Sequence, residues 1–202
     1  VYYNPETNKR CSAKESNSQT GTKTGCMKWY TFNDEGEKSS TINMILDHNT
    51  TARVAYNSTK VNTEPKEVTT ALTKDTQSWN SSLNARLITA NEVAKITGNT
   101  NFDASKTGKK WFYFDSNNQT PTVTTQGASK YAWLFDYTND CTNYGCNIAD
   151  SSNYGYWTST PVVDSGSYVW FVSRDGYLNN DGATSTGRGV RPVITISKSI
   201  IQ

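Results

Sequence analysis

An α+β fold is predicted from the order of three kinds of segment. Early β-forming runs come first, then two helix-patterned segments, then a late group of aromatic β-forming runs. The early runs are Met27–Phe32, which alternates, and Thr41–Leu46, ended by Asp47-His48-Asn49. Asn33 to Glu37 reads as the turn between them, and Arg53–Tyr56 as a short third strand. Val1 to Cys26 reads as a short strand and a long polar loop, Asn8 to Gly25.

The first helix is predicted over Lys66–Trp79. Glu64-Pro65 opens it, and Val68, Ala71 and Leu72 share a face. The second starts at Thr89-Ala-Asn-Glu92, the spacing of a capping box. The threonine hydroxyl takes one orphan amide there, and the glutamate reaches back for another. Val93 and Ile96 face inward, and Gly98 stops the helix. Trp111–Phe114 and Tyr131–Phe135 are buried aromatic segments, separated by a polar stretch, Asp115 to Ser129.

Tyr154 to Ile196 organises the rest. Ser167–Ser173 is dense in β-formers on both faces, so it reads as a buried strand. Asp175-Gly176 is a tight-turn dipeptide, and Tyr177-Leu178 restarts a strand. A polar loop, Asn179 to Gly189, leads to a last strand, Val190–Ile196. Pro192 cannot donate to a ladder, so it belongs at that strand's start or on an edge.

Composition narrows the function. The chain has 202 residues, a net charge of +2, 34% hydrophobic and 12% aromatic residues, and six tryptophans. This suits one domain, 1–202: strands and the first helix over 1–82, the second helix and a closing β-rich ligand-binding region over 83–202. The low net charge with six tryptophans argues against disorder. No basic patch points to nucleic acid, and no apolar run approaches a membrane span. The chain opens on Val1-Tyr-Tyr-Asn-Pro without a signal peptide, which reads as a piece of a longer exported protein. Four cysteines agree with export. Local pairing, Cys11 with Cys26 and Cys141 with Cys146, is the simplest of three connectivities. Free thiols or a four-cysteine zinc site are the alternatives, and neither pair has the spacing of a zinc knuckle.

Catalytic signatures are sparse. His48 is the lone histidine. Beside Asp47 it suggests acid–base chemistry, but a lone histidine at a strand end reads more simply as a hydrogen-bonded turn residue. No serine lies in a Gly-x-Ser-x-Gly elbow, no carboxylate pair stands out, and Gly182–Gly189 lacks the lysine and helix of a phosphate loop. Trp157 and Trp170 read as core. Tyr154, Tyr168 and Tyr177 read as surface residues, with Ser, Gly and Asn beside them as in antibody-type loops. Arg174 and Arg188 are candidate anchors, whereas Arg86 and Arg191 read as structural.

Several motifs in order resemble a known family. Arg86-Leu-Ile-Thr-Ala-Asn-Glu92, Tyr156-Trp-Thr-Ser-Thr160, Trp170, Asp175-Gly176 and Gly189-Val-Arg191 resemble the formylglycine-generating-enzyme-like branch of the C-type lectin fold. The resemblance covers Arg86 to Ile196. It implies a C-type-lectin-like fold with small antiparallel sheets, two helices and a long aromatic loop region. That oxidase needs a late cysteine pair with copper, and no cysteine follows Cys146, so its catalysis does not carry over. The calcium motifs of sugar-binding members are also missing: Glu64-Pro65-Lys66 and Trp79-Asn80-Ser81 put Lys and Ser where oxygen ligands belong. A structural calcium elsewhere in the Asp- and Asn-rich loops stays open.

The resemblance extends to non-catalytic bacterial and phage surface domains, including the variable proteins of diversity-generating retroelements. The expectation is therefore a non-enzymatic, extracellular or cell-surface recognition domain that needs no cofactor. It binds protein or glycan through Asp164, Ser165, Ser167, Tyr168, Ser173, Arg174, Tyr177, Asn179, Asn180, Asp181, Thr184 and Arg188. The alternatives are an enzyme of the same branch with altered chemistry and a purely structural surface module.

Overall fold

The computed structural model describes residues 1–17, 21–99, 102–105, 110–111, 131–134, 155–173 and 177–202. Among the described residues the fold is mixed α and β, with two α-helices and two antiparallel sheets. The first sheet has the order β2-β1-β3-β4-β9, from Lys9–Arg10, Tyr2–Asn4, Met27–Phe32, Thr41–Leu46 and Val193–Ser197. The second has the order β5-β8-β7-β6, from Lys110–Trp111, Tyr177–Gly182, Tyr168–Ser173 and Gly155–Pro161. Helices α1, Glu67–Asp75, and α2, Ala90–Ile96, lie between the early and late strands in sequence.

Strand alternation sorts the core. On one face of the first sheet, Met27, Trp29, Met44, Leu46, Ile194 and Ile196 pack with Tyr3 and Trp79. The aromatic members meet edge to face, the geometry ring quadrupoles favour. The Trp29 ring lies 6.1 Å from that of Tyr3. It lies 5.6 Å from that of Trp79. The opposite face sends Phe32, Ile45 and Val193 toward α2 and toward Tyr156, Trp170, Val172 and Leu178 of the second sheet. The second sheet's other face carries Trp157, Val169 and Phe171, covered by Tyr56 and by Val68 and Leu72 of α1. Trp157 and Trp170 are thus fully buried, as their setting in the sequence predicts.

The second helix follows its capping box. Thr89 Oγ1 accepts from the Glu92 amide at 3.0 Å, and Glu92 accepts from the Thr89 amide at 2.8 Å. Arg86 grips the same carboxylate with both terminal nitrogens, at 2.6 and 2.8 Å. Such a two-pronged grip within the fold makes its role structural. Burial pushes the Glu92 carboxyl up, but the bonds from Arg86 and Thr89 prevail and hold it below its usual range. Gly98 ends the helix with a positive φ, as glycine does at many helix ends.

Three expectations are corrected. Helix α1 stops at Asp75, short of Trp79. Trp79 turns instead into the first sheet's core and donates its indole N–H to the Lys23 carbonyl at 2.6 Å. Arg53–Tyr56 is not a strand, because the Val54 carbonyl is taken by the Trp157 indole and the segment is held by single bonds to the 183–190 loop. The last strand, predicted over Val190–Ile196, starts later and runs Val193–Ser197, with Pro192 just before its start, and it pairs with β4 in the first sheet. The Cys11–Cys26 disulfide is formed. Cys141, Cys146, Tyr154, the Asp175-Gly176 turn, Phe112–Phe114 and the 115–129 stretch lie outside the described residues.

Candidate functional site

The predicted ligand-binding residues fall on the second sheet, and period-two alternation divides them. Opposed pairs share a face. Tyr168 opposes Gly182 and Trp170 opposes Asn180, so these lie on one face; Val169 with Asp181 and Phe171 with Asn179 lie on the other. Asn179 to Gly182 belong to β8 rather than to a loop. Strand geometry therefore fixes Asn179, Asn180 and Asp181, which sequence reading gives to an irregular loop.

Three of the expected binding residues, Arg188, Asp181 and Ser173, are engaged within the fold. Arg188 lays its guanidinium over the Phe171 ring, 3.9 Å from the centroid, and pairs with Asp181 at 2.8 Å. Only 13% of its side chain is exposed, so it braces β8 against the following loop. Ser173, predicted at the binding surface, is instead buried opposite Gly155, because β6 lies alongside it. Tyr177 is half-buried, and Arg174 lies outside the described residues.

The open part of the predicted site is the turn from β6 to β7. Tyr168 is 42% exposed, Asp164 and Thr184 are exposed beside the half-buried Ser165 and Ser167, and Val163, which the sequence reading leaves out, is 74% exposed. Of the three large hydrophobic residues exposed among those described, two thus stand on one turn; the third is Val1.

This turn is held from beneath by Asn62. Its side-chain amide, almost wholly buried, donates to the carbonyls of Val162 at 3.0 Å, Tyr168 at 2.8 Å and Ser165. Its backbone amide donates to the Gly166 carbonyl at 3.1 Å. Nearby, Asn57 ties its own segment together through Glu64 and Thr59. No sequence pattern marks Asn62, since its partners lie about 100 positions away. Val163 does carry a signal, being an apolar residue inside a polar glycine-containing turn. Asn62→Asp is expected to destabilise by about 2 kcal/mol, because a carboxylate replaces the donor facing three carbonyls. Urea unfolding would check this, and an unchanged midpoint would contradict the clamp.

Elsewhere, the lone histidine is no open catalytic group. His48 is buried with Asp47, which contacts its Nδ1, and Nε2 lies 2.9 Å from the Thr22 carbonyl oxygen. Asn49 Oδ1 and Asn180 Nδ2 are buried atoms with no partner among the described residues. Arg191 is fully buried and donates to the carbonyls of Leu46, Leu134 and Trp133 at 2.6, 2.7 and 2.8 Å, which fits its expected structural role. The latter two close a short 3-10 turn, Ala132–Leu134. Shallow grooves flank α2, one of about 290 Å³ lined by Asn33, Glu35, Asn43, Asn91, Glu92 and Lys95, away from the hairpin turn. Among the described residues there is no group of three or more His, Cys, Asp or Glu suited to a metal, and no helix long and apolar enough to cross a membrane.

Residues 39–198 match a family model described as a domain of unknown function (DUF6273). The match takes in every predicted ligand-binding residue and leaves out β1 to β3 and the disulfide loop. No curated protein and no solved structure matches the chain.

Proposed function

We propose that this chain, which belongs to the DUF6273 family, is a non-catalytic recognition domain. It takes a protein or glycan at a bacterial or phage surface through the turn between β6 and β7. The observation that carries the reading is the pairing of exposed Val163 and Tyr168 with a buried clamp, Asn62, that fixes the turn under them. A pre-formed turn loses little conformational entropy on binding. Tyrosine adds wide contact area with few rotatable bonds.

Asp164, Ser165, Ser167 and Thr184 supply the polar rim of this surface. Asp181 and Arg188 brace β8 against the following loop. The C-type-lectin-like architecture belongs to the same proposal. It is supported by the motif order from Arg86 to Arg191, by the Arg86–Glu92 pair at the start of α2, and by the tryptophan-filled late sheet.

Glycan arrays and arrays of surface proteins, probed with the purified chain, test the reading. Val163→Ser and Tyr168→Ser are each expected to weaken the captured interaction at least tenfold, about 1.4 kcal/mol. Binding that survives both substitutions, or no binding in either array, would reject the site. The retroelement link has its own test in the genomic locus. Beside a reverse transcriptase, an imperfect second copy of the DNA for Tyr154 to Ile196 with mismatches confined to adenines would establish diversification.

A further inference from the structure

The loop closed by Cys11 and Cys26 comes back over the fold as a short strap, Gly21 to Gly25. Gly21 and Gly25 both have positive φ, a conformation that side-chain-bearing residues rarely adopt. They let the chain dip and rise again over a short span. The dip is held by polar contacts. Gly21 donates its amide to the Asn49 carbonyl at 3.0 Å. The Thr22 carbonyl faces His48 Nε2, and the Lys23 carbonyl accepts from the Trp79 indole. The Lys23 ammonium pairs with Asp75 at 2.7 Å. At the far end Gly25 donates to Glu6 at 3.0 Å.

What lies beneath is unusual for an interior. Asp47, His48, Asn49 and Thr50, following β4, and Asp75, at the end of α1, are each buried to 4% exposure or less. Asp75 takes hydroxyl bonds from Thr50 and Thr51 at 2.7 and 2.5 Å, and its cationic partner is Lys23 of the strap. Both ring nitrogens of His48 face oxygen acceptors, Asp47 on one side and the strap on the other. The strap and this polar floor therefore complete each other's hydrogen bonds. Water could do the same for each alone, which distinguishes this contact from an apolar core that would resist opening.

We propose that Gly21–Gly25 is a redox-released strap: oxidised, the Cys11–Cys26 bridge keeps it seated over the Asp47–His48–Asp75 floor, and reduction uncovers that floor. The bridge limits how far the strap can wander once undocked, so opening it favours the undocked ensemble. The reductant is a dithiol. Its thiolate attacks the sulfur of Cys11, the residue less buried of the two, breaking the S–S bond and releasing Cys26 as a thiolate that takes a proton. The second thiolate of the reductant then displaces Cys11, which is protonated in turn. Two electrons and two protons reach the protein, and the reductant leaves as a disulfide. The uncovered floor presents an imidazole already oriented by a carboxylate. The proposal stands apart from the recognition reading and shares no residue with it.

His48 is the only histidine, so its carbethoxylation by diethylpyrocarbonate reports one site, read by mass spectrometry of its peptide. The full chain is compared in three forms: oxidised wild type, the double variant Cys11→Ser/Cys26→Ser, and oxidised Lys23→Ala. The double variant stands in for the reduced bridge without touching Cys141 and Cys146. Labelling at least tenfold faster than wild type is expected in both variants, with far-ultraviolet circular dichroism unchanged. Equal rates in wild type and the double variant overturn the proposal. So does acceleration that appears only together with loss of the dichroism signal, which would make the bridge a staple for the whole fold. If the double variant fails to fold, Cys141→Ser/Cys146→Ser protein treated with dithiothreitol takes its place: faster labelling of the folded reduced protein supports the strap, and a rate equal to that of its oxidised form rejects it.

Discussion

Gly155→Ala is expected to cost about 4 kcal/mol or more and to leave little folded protein. Gly155 opens β6 at φ +126°, and a Cβ there would lie 1.8 Å from the Val172 carbonyl oxygen. That oxygen belongs to β7, in the middle of the second sheet, so neither partner can yield without breaking the register of Gly155 with Ser173 and Tyr156 with Val172. The Gly155 carbonyl also accepts from the Gly189 amide and the Asn49 side chain, at 2.9 and 3.1 Å. A shift at this one residue therefore also breaks its bonds from Gly189 and Asn49. Gly166→Ala provides the contrast, since a Cβ there meets nothing within 4 Å. Urea unfolding of both variants checks the pair. A Gly155→Ala midpoint close to that of Gly166→Ala would refute the steric account.

The second large effect is expected at Arg191. Arg191→Met should destabilise by about 3–5 kcal/mol, although the replacement is apolar and of similar reach. Replacing a buried ion pair with hydrophobic groups is often harmless because both partners can be replaced. Here the partners are the backbone carbonyls of Leu46, Trp133 and Leu134, which no substitution removes. Arg191→Lys is not expected to rescue it. One ammonium cannot reach three carbonyls on two separate segments, whereas the guanidinium fork does so in a plane. The Tyr156 ring, 5.1 Å from the guanidinium carbon, also loses its cation in the methionine variant. Hydrogen exchange at 131–134 should rise more than at β3, since Arg191 is what ties that turn to the end of β4. Uniform exchange across the two would count against the assignment.

Legibility in the sequence follows the range of the interactions. Met27–Phe32 and Thr41–Leu46 form with their predicted bounds because alternation and turn residues are local. So does the start of α2, whose capping box and Arg86 lie close together in sequence. The end of α1 is not legible, because Trp79 and Asp75 are drawn away by Lys23, Thr50 and Thr51, all distant in sequence. Asn179 to Gly182 read as loop from composition alone, yet pairing with the strongly apolar β7 makes them a strand. Within the candidate site, the exposure of Tyr168 follows from its type and setting. The burial of Ser173 and the inward commitment of Arg188 depend on which strand lies alongside, and Asn62 depends on a turn distant in the chain.

The pairing of β9 with β4 bears on how the chain acquires its shape. Ile45 meets Val193 and Thr41 meets Ser197, partners on the order of 150 positions apart. As the chain leaves the ribosome, β4 can join β3 at once, but its other edge stays bare until nearly all of the family region has been made. That edge carries Ile42, Met44 and Leu46, apolar residues of the kind that recruit foreign strands. Closure over such a distance slows folding, since the loop must be brought together before any contact rewards it. Synthesis of this domain therefore passes through an interval of aggregation risk set by translation speed, which ends only when Val193–Ser197 arrives.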